Sequence, residues 1–270
     1  MGRDLGRYLL QRGCDVLNHL GIRDRWGSTT AKLTVIHPDD TFLVSMPRSG
    51  SNWVRFMFAH LKAPGERIHF GNINDIVPTL HSWTPCDVDA CSRPRIIKTH
   101  YAAYGRYPRF LAVVRDPRDV MVSMYHFYIS TRFFDEDLPF SRFLRSGYAR
   151  WPLDWSRHTR RALAIAERDP ARALVVRYED LRGDPAGTLT RIARHVRLDP
   201  TEADVQRAVT ACTWENLRAM EGDHKPRSDF RGRFFRAGSV GQWSAWFDDR
   251  DRRWFLRRHG HTMRHLGYLE

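Results

Sequence analysis

The chain has 270 residues, 42% of them hydrophobic and 12% aromatic, enough for one large packed domain and unlike a disordered or low-complexity chain. Its formal charge of +13 is almost all arginine, spread from end to end; Lys32, Lys62, Lys98 and Lys225 are the only lysines. Without a dense basic block or a basic helix stripe, that spread favours an anionic ligand over a nucleic-acid partner, and no apolar run reaches the length of a membrane span.

Residues 5–20 read as a basic amphipathic helix that packs peripherally, so that 1–36 form a helical extension ahead of a single domain over 37–270. Met1-Gly2 resembles the start of a myristoylation signal, but Gly6 stands where Ser or Thr is required, and no apolar core suits a signal peptide. Cys14, Cys86, Cys91 and Cys212 lack the paired spacing of a zinc site. Reduced, mostly buried thiols and a cytoplasmic location are the expectation.

From Thr41 to Met46 a β-branched, apolar run stops at Pro47. A small-residue loop follows, and then Trp53, Phe56, Met57, His60 and Leu61 repeat at helical spacing. This predicts a strand over 41–46 and a helix over 52–62. The loop between them aims backbone N–H groups and the positive helix end at one point, an anion site to which Arg48 adds forked donors. The loop is not that of the nucleoside triphosphatases, because no Gly-Lys pair exists in the chain. Further strands are expected at 95–99, 109–114 and 172–177, and helices at 118–129, 157–168 and 186–196. Asp116-Pro117 and Asp184-Pro185 supply N-cap and first-turn residues. Alternating strands and helices give an α/β fold with a mainly parallel central sheet covered on both faces, whose ligands sit beyond the carboxyl ends of the strands.

Several segments, in order, resemble motifs of the sulfotransferase family and imply its P-loop-kinase-like three-layer fold. Pro47-Arg48-Ser49-Gly50-Ser51-Asn52-Trp53 is similar to the loop that cradles the phosphosulfate of 3′-phosphoadenosine 5′-phosphosulfate (PAPS). The resemblance assigns Arg48, Ser49, Gly50, Ser51, Asn52 and Trp53 to that donor. Lys98-Thr99-His100 resembles the family's Lys-Thr/Ser-His, in which the histidine is the general base and the lysine contacts the transferring group. Neutral imidazole suits removal of a hydroxyl proton near pH 7, and cations stabilise charge on the departing oxygen. The run from Phe110 to Ser123 resembles the 3′-phosphate motif and implies that Arg115 and Ser123 hold that phosphate, although Asp116 and Asp119 are rival partners for Arg115. Tyr178-Glu179-Asp180-Leu181 and Thr213-Trp214 look like the adenine-side segments, with Trp53 and Trp214 placed to sandwich the ring. Arg233 to Trp243 resembles the closing Arg-Lys-Gly segment, implying contacts from Arg236, Ala237 and Gly238.

The sequence departs from the family at Arg48 and Ala237, where lysine is usual. The dimer motif of the animal enzymes is absent as well, its positions reading Ser244, Asp248, Asp249 and Arg253, so the oligomeric state stays open. The implied activity is transfer of a sulfuryl group from PAPS, leaving PAP (the desulfated nucleotide), to a hydroxyl or amine of a small-molecule, lipid-like or glycan acceptor. Arg48, Lys98 and His100 carry the chemistry, and no metal is required. The acceptor side is expected within 64–93 and 129–156, which carry Phe70, Trp83, Phe133, Phe134, Tyr148, Trp151 and Trp155. Met220 to Trp243, rich in glycine and charge, is expected to be a mobile cover rather than part of the core. Two other readings remain: an ATP-dependent kinase of the same fold, disfavoured by the missing Gly-Lys, and a non-enzymatic polyanion or nucleic-acid binder.

Overall fold

A computed structural model of the protein describes residues 31–81, 86–146, 155–225 and 231–269. The helix expected over 5–20 lies outside these residues. Within the last part of the expected 1–36 extension, β1 (Ala31–Lys32) is extended and pairs in parallel with β3 (Cys86–Asp87).

The central sheet is parallel, in the order β4 (Ile96–Thr99), β2 (Thr41–Ser45), β5 (Arg109–Val114), β6 (Ala173–Arg177). Each strand lies within one residue of its expected bounds. The register sets Phe42 beside Ile97 and Phe110, and Leu43 beside Lys98 and Leu111. Side chains alternate across a strand, so the sheet builds two cores. Leu43, Ile96, Leu111, Val113 and Val176 face one side, with Val54, Phe58, Leu189 and Ala208. Phe42, Val44, Ile97, Phe110 and Ala112 face the other, with Tyr104, Tyr107 and Ala162. These residues are essentially sealed from water, and at roughly 25 cal/mol per Å² of apolar area their burial is the main force holding the layers together.

The first face is covered by α1 (Ser51–Lys62), α7 (Pro185–His195) and α8 (Glu202–Ala211), with α2 (Ile73–Ile76), α6 (Tyr178–Gly183) and α9 (Trp214–Asp223) around them. The second face is covered by α5 (Trp155–Arg168). A third cluster joins α3 (Pro117–Ser130), α4 (Phe140–Arg145) and α10 (Asp249–His265) through Val120, Met124, Phe143, Phe255 and Met263. The three-layer α/β expectation is met.

The chain leaves β2 toward β4 and then returns to β5 on the other side of β2. That reversal opens a crevice at the carboxyl ends of β2 and β5, where open α/β sheets bind ligands. The loop Met46–Gly50 and the residues Arg115 and Asp116 lie at that edge.

Candidate active site

The loop after β2 takes the shape that its residues permit. Gly50 has φ 92° and Arg48 φ 69°. A Cβ on Gly50 would lie 2.4 Å from the Tyr178 ring, so that ring closes onto a backbone that only glycine provides. The Ser45 hydroxyl donates to Ser51 Oγ at 2.7 Å, tying the strand end to the first residue of α1. Ser49 Oγ is buried without a hydrogen-bond partner.

Three arginines converge beside this loop. Arg48 Nε donates to Ser123 Oγ at 3.0 Å and a second nitrogen donates to the Phe234 carbonyl at 3.1 Å, with the guanidinium against the Phe127 and Phe234 rings. Arg115 is 8% exposed and donates to the carbonyls of Arg48, at 3.3 Å, and Ser239, at 3.0 Å, with its guanidinium over the Tyr178 ring. Its Nε is buried and unpartnered. Arg236, half-buried, donates to Gln242 Oε1. Burial, and then Arg115 and Arg236, push the Arg48 pKa down to about 10. Burial and Arg115 lower that of Arg236.

The rival acids are occupied elsewhere. Asp116 caps α3 through the Arg118 N–H at 2.9 Å and pairs with the Arg118 guanidinium at 2.6 Å. Asp119 accepts the Gly241 and Trp243 N–H groups at 2.8 and 2.9 Å, leaving Arg115 a 3.8 Å contact. Glu221 accepts the Phe234 and Phe235 N–H groups. Cations at least half-buried, with no closer carboxylate than the 3.8 Å contact of Arg115 with Asp119, are destabilised and suit a polyanion.

Lys98 and His100 project from the same face of β4's end. Lys98 Nζ is 3.0 Å from His100 Nε2, and His100 Nδ1 is 2.8 Å from the Ser45 carbonyl. A carbonyl only accepts, so Nδ1 carries the proton and Nε2 the lone pair. Burial, then Lys98 and His81, hold the His100 pKa well below the ordinary imidazole range. Burial, then Arg55 and Arg48, bring Lys98 down to about 7. Arg55, buried in α1, donates to the Val77 carbonyl and to Asn74. No sequence motif marks its influence on Lys98.

On the nucleotide side, the Tyr178 hydroxyl donates to the Gly238 carbonyl at 2.8 Å. Trp53 Nε1 donates to the Cys212 carbonyl at 2.9 Å, with its ring edge-on to Tyr178. Thr213 caps α9 through the Asn216 N–H, and Trp214 lies against Gly238, where a Cβ would come within 2.7 Å of the indole. Asn52 and Ala237 are half-buried beside these elements.

Two expectations change. The closing segment is not merely a cover: Phe235 is 5% exposed and packs in the core against the rings of Phe56 and Phe70. Trp155, expected on the acceptor side, is 2% exposed and donates to the Arg115 carbonyl at 3.1 Å, so it braces the site from within. Trp83, Tyr148 and Trp151 lie outside the described residues. His81, which the sequence did not single out, accepts the His100 N–H at 2.8 Å; no motif marks it, and it sits in the turn that follows the Thr79 bridge to β4.

The comparisons agree with this geometry. A family model described as "Sulfotransferase domain" matches residues 38–267. Sulfotransferase 6B1 of Danio rerio is 25% identical over 78% of this chain and 74% of its own length. The flavonol 4′-sulfotransferase of Flaveria chlorifolia is 27% identical over 78% and 75%. Among solved structures, retinol dehydratase in complex with retinol and PAP superposes with a TM-score of 0.67 at 18% identity, covering 85% of this chain and 82% of that one. Mouse sulfotransferase SULT7A1 with PAP gives 0.64 at 20% identity, covering 85% of each. With the loop, the cationic crevice and the Lys98–His100 pair all inside the matched span, the chain belongs to the sulfotransferase family and is a sulfuryl-transferring enzyme.

Proposed function

We propose that the protein moves the sulfuryl group of PAPS to an acceptor hydroxyl, with His100 as the general base. The observation that carries this reading is the convergence of Arg48, Arg115 and Arg236 on one crevice, where Asp119 stands 3.8 Å from Arg115 with its carboxylate bound to backbone N–H groups and where Arg115 Nε and Ser49 Oγ are left unpaired. A nucleotide bearing a 3′-phosphate as well as a 5′-phosphosulfate supplies both the charge and the acceptors. PAP in the two solved relatives supports the same donor class.

In the reaction, the acceptor oxygen forms a bond to sulfur while the bond from sulfur to the bridging phosphate oxygen breaks. The acceptor's proton passes to His100 Nε2, and PAP leaves with the bridging oxygen's charge stabilised by Arg48 and Lys98. Fixing both substrates in line supplies much of the rest of the rate. Lys98 holds Nε2 in the free protein, so it must turn to the donor before the base is available. The cationic surroundings repel an ammonium group, which favours hydroxyl acceptors over amines; a small-molecule, lipid-like or glycan hydroxyl meets that requirement. Incubation with [35S]PAPS and panels of phenols, lipid alcohols, glycans and amines should label hydroxyl compounds. Labelling confined to amines, or none with PAPS turnover also absent, contradicts the reading.

The Lys98 ammonium is half lost near pH 7 in the free protein, and an anionic nucleotide draws the proton back. The cationic form therefore binds and is lost as pH rises. PAP affinity should fall from pH 7 to 9, by up to about tenfold per unit, with proton uptake on binding; Lys98→Arg should flatten the profile. Calorimetry in buffers of different ionisation enthalpy reads this directly, and a flat wild-type profile over that range contradicts it.

A further inference from the structure

Pro78 to His81 runs beside β4. Lys98 N–H donates to the Pro78 carbonyl at 2.8 Å, Leu80 N–H donates to the Lys98 carbonyl at 2.9 Å, and Thr79 bridges Lys98 in parallel. The run delivers His81 to the point where β4 leaves the sheet. The Lys98 N–H and carbonyl both turn to this run, and by strand alternation the His100 N–H turns to the same side, beyond the last backbone pair, between Leu80 and Lys98. Such a group, half-buried, needs an acceptor. His81 Nε2 is that acceptor at 2.8 Å.

A backbone N–H can only donate, so His81 Nε2 bears a lone pair and the neutral ring carries its proton on Nδ1. Burial, and then the Lys98 charge, push the His81 pKa down to about 3, which preserves that form at neutral pH. The ring also lies 4.7 Å from the His100 ring centre and 4.5 Å from that of Tyr101. His100 is thus held twice: by His81 at its backbone and by the Ser45 carbonyl at its ring. Neither contact touches the lone pair of His100 Nε2.

We propose that His81 is a positioning residue for sulfuryl transfer, fixing the backbone of His100 so that its ring keeps the Nδ1–H tautomer and presents Nε2 for proton removal. Glutamine at position 81 retains an acceptor at a reach similar to Nε2, whereas phenylalanine keeps the ring and loses the acceptor. The functional part of this inference rests on His100 being the base; the tautomer does not, and it is measured separately.

The test is long-range 1H–15N NMR of the histidines in the full chain at pH 7, with and without PAP, for wild type, His81→Gln and His81→Phe. Both His81 and His100 should be neutral and protonated at Nδ1 in the wild type. His81→Phe should mix the His100 tautomers, and His81→Gln should restore the single form. With 2-naphthol as probe acceptor, His81→Phe should lower kcat by roughly 10–100-fold while PAP Kd stays within about twofold, and His81→Gln should recover most of the loss. Unchanged His100 tautomers in His81→Phe overturn the proposal. A His81 ring protonated at Nε2 in the wild type does so even if His81→Phe fails to fold. Absence of transfer to the probe by the wild type leaves the spectra as the deciding result, separating failure of this inference from failure of the proposed function.

Discussion

Replacement of His100 by alanine should lower turnover by about 10²–10⁴-fold while leaving PAP affinity within about twofold. The geometry separates the two effects. His100 Nδ1 is bound to the Ser45 carbonyl and its Nε2 faces Lys98, and the three arginines of the nucleotide side are held by other residues. Removing the imidazole removes the Nε2 lone pair beside Lys98, and the depressed pKa keeps that nitrogen unprotonated at neutral pH. Lys98 cannot take over efficiently, because its charge is needed against the donor. Single-turnover measurements with preloaded donor isolate the chemical step; near-normal turnover in His100→Ala assigns the proton transfer elsewhere.

Arg115→Ala should weaken PAP at least roughly tenfold and leave ADP affinity little changed. A charge-assisted hydrogen bond contributes about 1.5–3 kcal/mol, and Arg115 has an unpaired buried Nε and, beyond its bonds to the Arg48 and Ser239 carbonyls and its place over the Tyr178 ring, only a 3.8 Å contact to Asp119 to lose. The same substitution relieves repulsion on Arg48 and Arg236, so loss of affinity should come without a matching loss of thermal stability in the free protein. Calorimetry with both nucleotides, beside thermal melting, checks this. Equal weakening of PAP and ADP places Arg115 away from the 3′-phosphate.

Much of this was legible in the sequence because local rules and tertiary structure agreed. The apolar run before Pro47, the small-residue loop and the periodic helix after it folded as expected, and both Asp-Pro pairs cap their helices: Asp116 takes the Arg118 N–H and Asp184 the Gly187 N–H, each at 2.9 Å. Where polar residues carry the packing, the pattern was hidden. Helix α10 buries Asp251, His259 and Thr262 beside Phe255 and Met263, a face that apolar periodicity does not reveal. The closing segment misled in the opposite way. Its glycines and arginines suggested a loose cover, but Asp119 and Glu221 grip its backbone and Phe235 enters the core. Arg55 and His81 act on Lys98 and His100 through folding alone, since each meets its target from another element.

The central claim is that the arginine crevice is built for a nucleotide with a 3′-phosphate. Calorimetric titration of the full chain with PAP and with ADP, isomers that carry the second phosphate on the 3′ oxygen and on the 5′ chain respectively, addresses it most directly. The account predicts that PAP binds at least about tenfold more tightly than ADP, by a margin that shrinks in Arg115→Ala; equal affinities for the two nucleotides would contradict it.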